Sequence, residues 1–115
     1  MKPIRMINRS AIALVLIVML SITALATNSY AHNVYAAGSK AYSVLNTDSA
    51  VYGYVYIEVQ DRNGNILTNN ENSANTTKLT TSVNYSGYST HYKARGTFHA
   101  RIDGVYKTGE KFCYT

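Results

Sequence analysis

The sequence predicts an all-β fold: a small antiparallel β-sandwich or barrel of about six short strands, preceded by a cleavable signal peptide. Three observations predict it. Several stretches alternate apolar and polar side chains with period two. Pairs of turn-forming residues separate those stretches at intervals of about 8 to 12 residues, the spacing of all-β domains. A basic, then apolar, N-terminus precedes them, in the order of an export signal.

The N-terminal segment MKPIRMINRS carries Lys2, Arg5 and Arg9 and no acid, and AIALVLIVMLSITALA follows it. A positive flank, an apolar run and small residues before a polar chain make up a secretory signal peptide. The run from Ala11 to Ala26 is 16 residues, short of the roughly 18 to 20 that a spanning helix needs. Small-x-small cleavage sites end at Ala26, Ala31 and Ala36. The last is favoured because a further small residue follows, which assigns residues 1–36 to the leader and residues 37–115 to one secreted β domain. No Leu-x-x-Cys box stands near the cut, so no lipid anchor is expected.

Loss of the leader changes the electrostatics. The whole chain has 11 basic and 6 acidic residues, but three of the basic ones lie in the leader, leaving eight against six. A nucleic-acid partner, which requires a dense phosphate-neutralising face, is therefore not expected. The remaining domain is near the size at which one core barely outweighs chain entropy. Cys113 is the only cysteine, so no internal disulfide can help.

Tyr42 to Leu45 makes a first strand, ended by Asn46-Thr47-Asp48. In Val51 to Asp61, VYGYVYIEVQD, the residues Val51, Val55, Ile57 and Val59 share one face; Tyr52, Tyr54, Tyr56, Glu58 and Gln60 share the other. Asn63-Gly64 suits a type I′ turn, and Ile66 to Thr68 begins the returning strand. The polar stretch NNENSAN, Asn69 to Asn75, reads as an exposed loop. Thr77 to Tyr85 resumes the alternation. Tyr92 to Ile102 pairs with Val105 to Thr108 across Asp103-Gly104, and Thr108-Gly109-Glu110 turns again before Lys111 to Tyr114.

Two surfaces are candidates for binding. In the stretch HYKARGTFHARI, a regular strand puts Tyr92, Ala94, Phe98, Ala100 and Ile102 inside and aligns His91, Lys93, Arg95, Thr97, His99 and Arg101 outside, all but Thr97 forming a basic strip. Gly96 could introduce a bulge, but the apolar residues keep one parity on both sides of it, so no exchange of faces is expected. Such a strip is either a solvated face that discourages edge aggregation or an anion site. The second surface is a tyrosine ladder, Tyr52, Tyr54 and Tyr56. Its rings suit sugar stacking or protein contact, or simply pack under a loop.

Catalytic patterns are weak. His91 and His99 would lie about 26 Å apart along a strand, too far to share a metal, and no metal site or cofactor is expected. No metalloprotease, nucleophile-elbow or Cys-x-x-Cys motif occurs. Nothing suggests a close carboxylate pair. His32 is expected to leave with the leader or to sit in a flexible start. Cys113, between inward-facing Phe112 and Tyr114, would face outward and could form an intermolecular disulfide; the favoured alternative is a half-buried inert thiol near a frayed end. Asn75 and Asn84 head glycosylation sequons. These features predict a non-catalytic extracellular binding module at the cell surface, with an anionic cell-wall polymer, a glycan or a protein as partner. A bacteriocin-like toxin is the alternative, weakened by the lack of an amphipathic helix after the leader.

Overall fold

The computed structural model describes residues 28–115. Of the segment assigned to the leader, residues 1–27 lie outside the described residues. Five strands form: β1 (Tyr30–Ala37), β2 (Lys40–Gln60), β3 (Ile66–Asn84), β4 (Lys93–Ile102) and β5 (Val105–Tyr114). All pairings are antiparallel, and no described residue is helical. The strands make one curled sheet in the shape of a half-barrel. β3 runs along one side of β2, while β1 and β4 take successive lengths of its other side, and β5 extends β4.

The all-β class is as predicted, but some expected strands merge. Tyr42–Leu45 and Val51–Asp61 belong to the two ends of β2, and Ile66–Thr68 and Thr77–Tyr85 to the two ends of β3. The predicted break at Asn46-Thr47-Asp48 is a register shift between Asn46 and Val51, an irregularity of the kind that bends a hairpin without ending it. Beyond the bend β3 doubles over. The Asn70 amide donates to the Ser82 carbonyl at 3.0 Å, and the Asn72 amide donates to the Thr80 carbonyl at 3.1 Å. In a straight strand Asn70 and Ser82 would be about 40 Å apart.

The expected loop Asn69–Asn75 is therefore a strand, and its asparagines supply side-chain donors to carbonyls of the same folded strand. Asparagine is depleted in strands in general, which is why its composition suggested a loop. The turn expected at Thr108-Gly109-Glu110 does not form either. Gly109 lies opposite Phe98 within the β4–β5 ladder, and a Cβ there would come within 2.6 Å of the Phe98 ring. That glycine permits close packing instead of a chain reversal.

Three tight connections set the register. At Ala37–Lys40 the first central residue, Gly38, has φ 60°, the arrangement of a type II′ turn. Asp103 (φ 53°) and Gly104 (φ 76°) are both left-handed between paired Ile102 and Val105, so the hairpin turn predicted there is of type I′. At Asn63-Gly64 only the glycine has positive φ, 83°, so that turn is not type I′. Asp61 explains the difference: its carboxylate accepts from the backbone N–H groups of Asn63 and Asn65, and its carbonyl accepts from Gly64 N.

The core lies in the concavity of the curled sheet. One cluster gathers Ala41, Ile57, Val59, Val83, Tyr85 and Ala94, the other Leu45, Val55, Leu79, Phe98, Ala100 and Ile102. The parity of β4 is preserved through Gly96, as predicted. The reason for that glycine is a close crossing: a Cβ there would collide with the Val34 side chain on β1. β1 itself pairs with β2 along its whole length, from Tyr30 opposite Thr47 to Ala37 opposite Lys40. The folded unit thus begins before the expected residue 37. His32, expected in a flexible start or lost with the leader, is buried, because the turn at Gly38 returns β1 onto β2.

Candidate functional site

The convex face of β2, β4 and β5 unites the two surfaces singled out from the sequence. Register places Tyr54 opposite His99, Tyr56 opposite Thr97 and Glu58 opposite Arg95. On the far side of β4, Thr97 faces Glu110 and His99 faces Thr108. Tyr54, Tyr56, Arg95, Thr97, His99 and Glu110 consequently line one open depression. Tyr52, at the end of the ladder, is 67% exposed.

Three rings form a row across three strands. Tyr54 and His99 are near-parallel with centroids 5.6 Å apart, and His99 and Tyr106 likewise at 5.9 Å. The Tyr106 hydroxyl lies 2.7 Å from His99 Nδ1. Tyr54 donates its hydroxyl proton to Glu71 at 2.6 Å. That bond to a carboxylate, more than burial, pushes the Tyr54 phenol up to about 12, so the ring stays neutral and its hydroxyl remains a donor.

Arg95 is the hub of the depression. Its guanidinium meets Glu58 at 2.7 Å and Glu110 at 2.7 Å, and stands 5.9 Å over the Tyr56 ring. Glu58 was expected on a wet face, yet it is only 1% exposed. Burial alone would raise its carboxyl, but hydrogen bonds from Gln60 and Arg95 and the Arg95 charge outweigh it and hold the group below the ordinary carboxylate range. The bonds to Glu110 and Glu58 in turn raise the guanidinium.

The predicted basic strip is not a continuous cationic surface. Its centre, Arg95, is bracketed by two carboxylates. Lys93 and Arg101 stand at opposite ends of β4, about 26 Å apart, and the Lys93 ammonium lies 5.0 Å from the Phe112 ring centroid. His91 does not join the strip. It precedes β4, packs its ring 4.6 Å from that of Tyr85, and places Nδ1 2.8 Å from the Thr115 hydroxyl.

Cys113 does not face outward: it is half-buried, and register puts it opposite core residue Ala94. It packs against the core, and burial pushes its thiol up. Phe112 and Tyr114 are the residues that point outward, 51% and 76% exposed. The sequon residues Asn75 and Asn84 are both exposed.

Glu71, Glu110 and Tyr106 were not identified from the sequence as parts of this face, and Glu58, placed beside the tyrosines by parity, was not identified as a partner of Arg95. A signal for two of them was present. The two-residue turn at Asp103-Gly104 fixes the β4–β5 register, and counting outward from it brings Tyr106 opposite Arg101 and Glu110 opposite Thr97. The approach of Glu58 and Glu110 to one guanidinium is likewise a carboxylate association that the sequence did not suggest. Among the described residues no group of three or more His, Cys, Asp or Glu side chains could hold a metal ion.

No protein-family model matches the chain, and no curated protein matches it. Among solved structures it is similar to a carbohydrate-binding module family 56 β-1,3-glucan binding domain. The TM-score is 0.47 and the identity 10%, over 74% of this chain and 98% of that one. It is also similar to part of catalytically inactive OgpA from Akkermansia muciniphila in complex with an O-glycopeptide, with TM-score 0.38 and 7% identity, over 78% of this chain and 29% of that one.

Proposed function

We propose that this protein is a non-catalytic extracellular binding module whose convex face takes a neutral, hydroxyl-rich glycan chain. The observation that supports this reading is the single depression in which aromatic rings of β2 and β4 surround the Glu58–Arg95–Glu110 bridge. Sugar rings offer apolar C–H faces to aromatic side chains and pairs of hydroxyls to planar carboxylate and guanidinium groups. Tyr54, Tyr56 and His99 supply the first kind of partner, and Arg95 and Glu110 the second. Because the bridge carries two negative groups for one positive, an anionic polymer would meet repulsion at the centre of the face. The remaining cations at its ends are too widely separated to compensate.

Affinity electrophoresis through gels containing either neutral polysaccharides or anionic wall polymers tests the reading. Retardation by a neutral glycan is expected, little changed by added salt. Tyr54→Ala should weaken it by about tenfold, equivalent to about 1.4 kcal/mol, while the protein stays folded. Retardation by anionic polymers alone, abolished by salt and unaffected by Tyr54→Ala, would overturn it.

A further inference from the structure

We infer that the leader is removed between Ala26 and Thr27, so that the exported protein begins at Thr27 and keeps β1 whole. This stands on residues remote from the convex face and does not depend on the glycan reading. The three small-x-small sites ending at Ala26, Ala31 and Ala36 differ sharply in what they would take from the folded chain. A cut after Ala36 removes nearly all of β1, and a cut after Ala31 severs it immediately before His32.

The lost side chains are structural. Val34 occupies the space above Gly96, and both Val34 and Ala36 pack against a core cluster. The His32 ring lies 4.9 Å from that of Phe98, and its Nε2 is 2.8 Å from the Ser43 hydroxyl. Removing β1 would uncover Phe98 and leave the buried Ser43 without its imidazole partner. Each is a recognised source of large destabilisation.

The chain is fastened from Asn28 onward. Asn28 N donates to the Asp103 carboxylate at 2.7 Å, and its side chain both donates to Ser49 O and accepts from Ser49 N. Ser29 N donates to the Asp48 carboxylate at 3.0 Å, while Asp48 N donates back to Ser29 O at 3.1 Å. Only Ala24-Leu25-Ala26 lies N-terminal to these fastenings. It has small residues at both recognition positions and closes the apolar run.

In the processing step water adds across the Ala26–Thr27 amide, leaving a carboxylate on Ala26 and an ammonium on Thr27.

Export of the full 115-residue chain from a bacterial secretion host, read by intact mass and N-terminal sequencing of the released protein, tests the site. A product beginning at Thr27 is expected, and Ala26→Phe should lower its release more than tenfold as uncut precursor accumulates. A released product beginning at His32 or Ala37, an uncut chain, or undiminished release from Ala26→Phe would each overturn the inference.

Discussion

The two faces of β2 between Tyr52 and Gln60 are built from alternate residues of one short stretch, yet they serve opposite ends. Val55, Ile57 and Val59 are fully buried in the concavity, where each removes about 1.5–3 kcal/mol worth of apolar surface from water. Tyr54, Tyr56 and Glu58 lie on the convex side, each engaged with another strand through a ring contact, a hydroxyl bond or an ion pair. The concave face gains from excluding water in any orientation that packs. The convex face gains only from particular partners at particular angles. One side can therefore hold the sheet together while the other is free to specialise.

The largest expected effect separates the two faces directly. Ile57→Ala should cost about 2–5 kcal/mol, the range for emptying a packed aliphatic site. Tyr52→Ala, on the exposed convex side, should cost less than about 0.5 kcal/mol. Urea denaturation of both variants checks this, and equal losses would erase the distinction between the faces.

Acidity tests the concave side more finely, through His32. Burial first, and the nearby Lys111 charge second, lower this imidazole to about 4 from an ordinary 6.5, and its Nδ1 has no hydrogen-bond partner among the described residues. The folded state therefore binds its proton less readily than the unfolded chain. Its stabilising contribution is present above pH 6.5 and is lost as the pH falls towards 4. Between pH 7 and pH 5 the loss should be about 2 kcal/mol, measured as a falling denaturation midpoint. His32→Phe should flatten that profile, and a wild-type midpoint constant over this interval would contradict the assignment.

A smaller effect than that of His32 concerns the seam where β3 folds over. Asn72→Ala removes one exposed hydrogen bond to Thr80 O and should cost about 0.5–1.5 kcal/mol. Faster amide hydrogen exchange should be confined to β3. A change that spread equally through β4 and β5 would show that the seam is coupled to the convex face.

Much of this was legible in the sequence because a strand has an exact period of two. Parity alone sorted Val55, Ile57 and Val59 from Tyr54 and Tyr56, and carried the faces of β4 through Gly96 without exchange. Parity failed at Cys113 because Thr108-Gly109-Glu110 was taken as a turn; a strand running unbroken from Asp103-Gly104 reverses the expected faces of the last four residues. Composition failed at Asn69–Asn75, where asparagine reads as loop unless a carbonyl partner stands across the bend.

The sequence by itself determined the all-β class, the main hairpin connections and the sorting of the β2 and β4 side chains between wet and dry faces. These depend on local alternation and on which residues accept positive φ. Only the tertiary structure decided that β2 and β3 bend and double over, that β1 belongs to the folded unit, and that Glu58 and Glu110 meet at Arg95. Those outcomes depend on which strands become neighbours, and neighbours far apart along the chain leave no periodic trace in it.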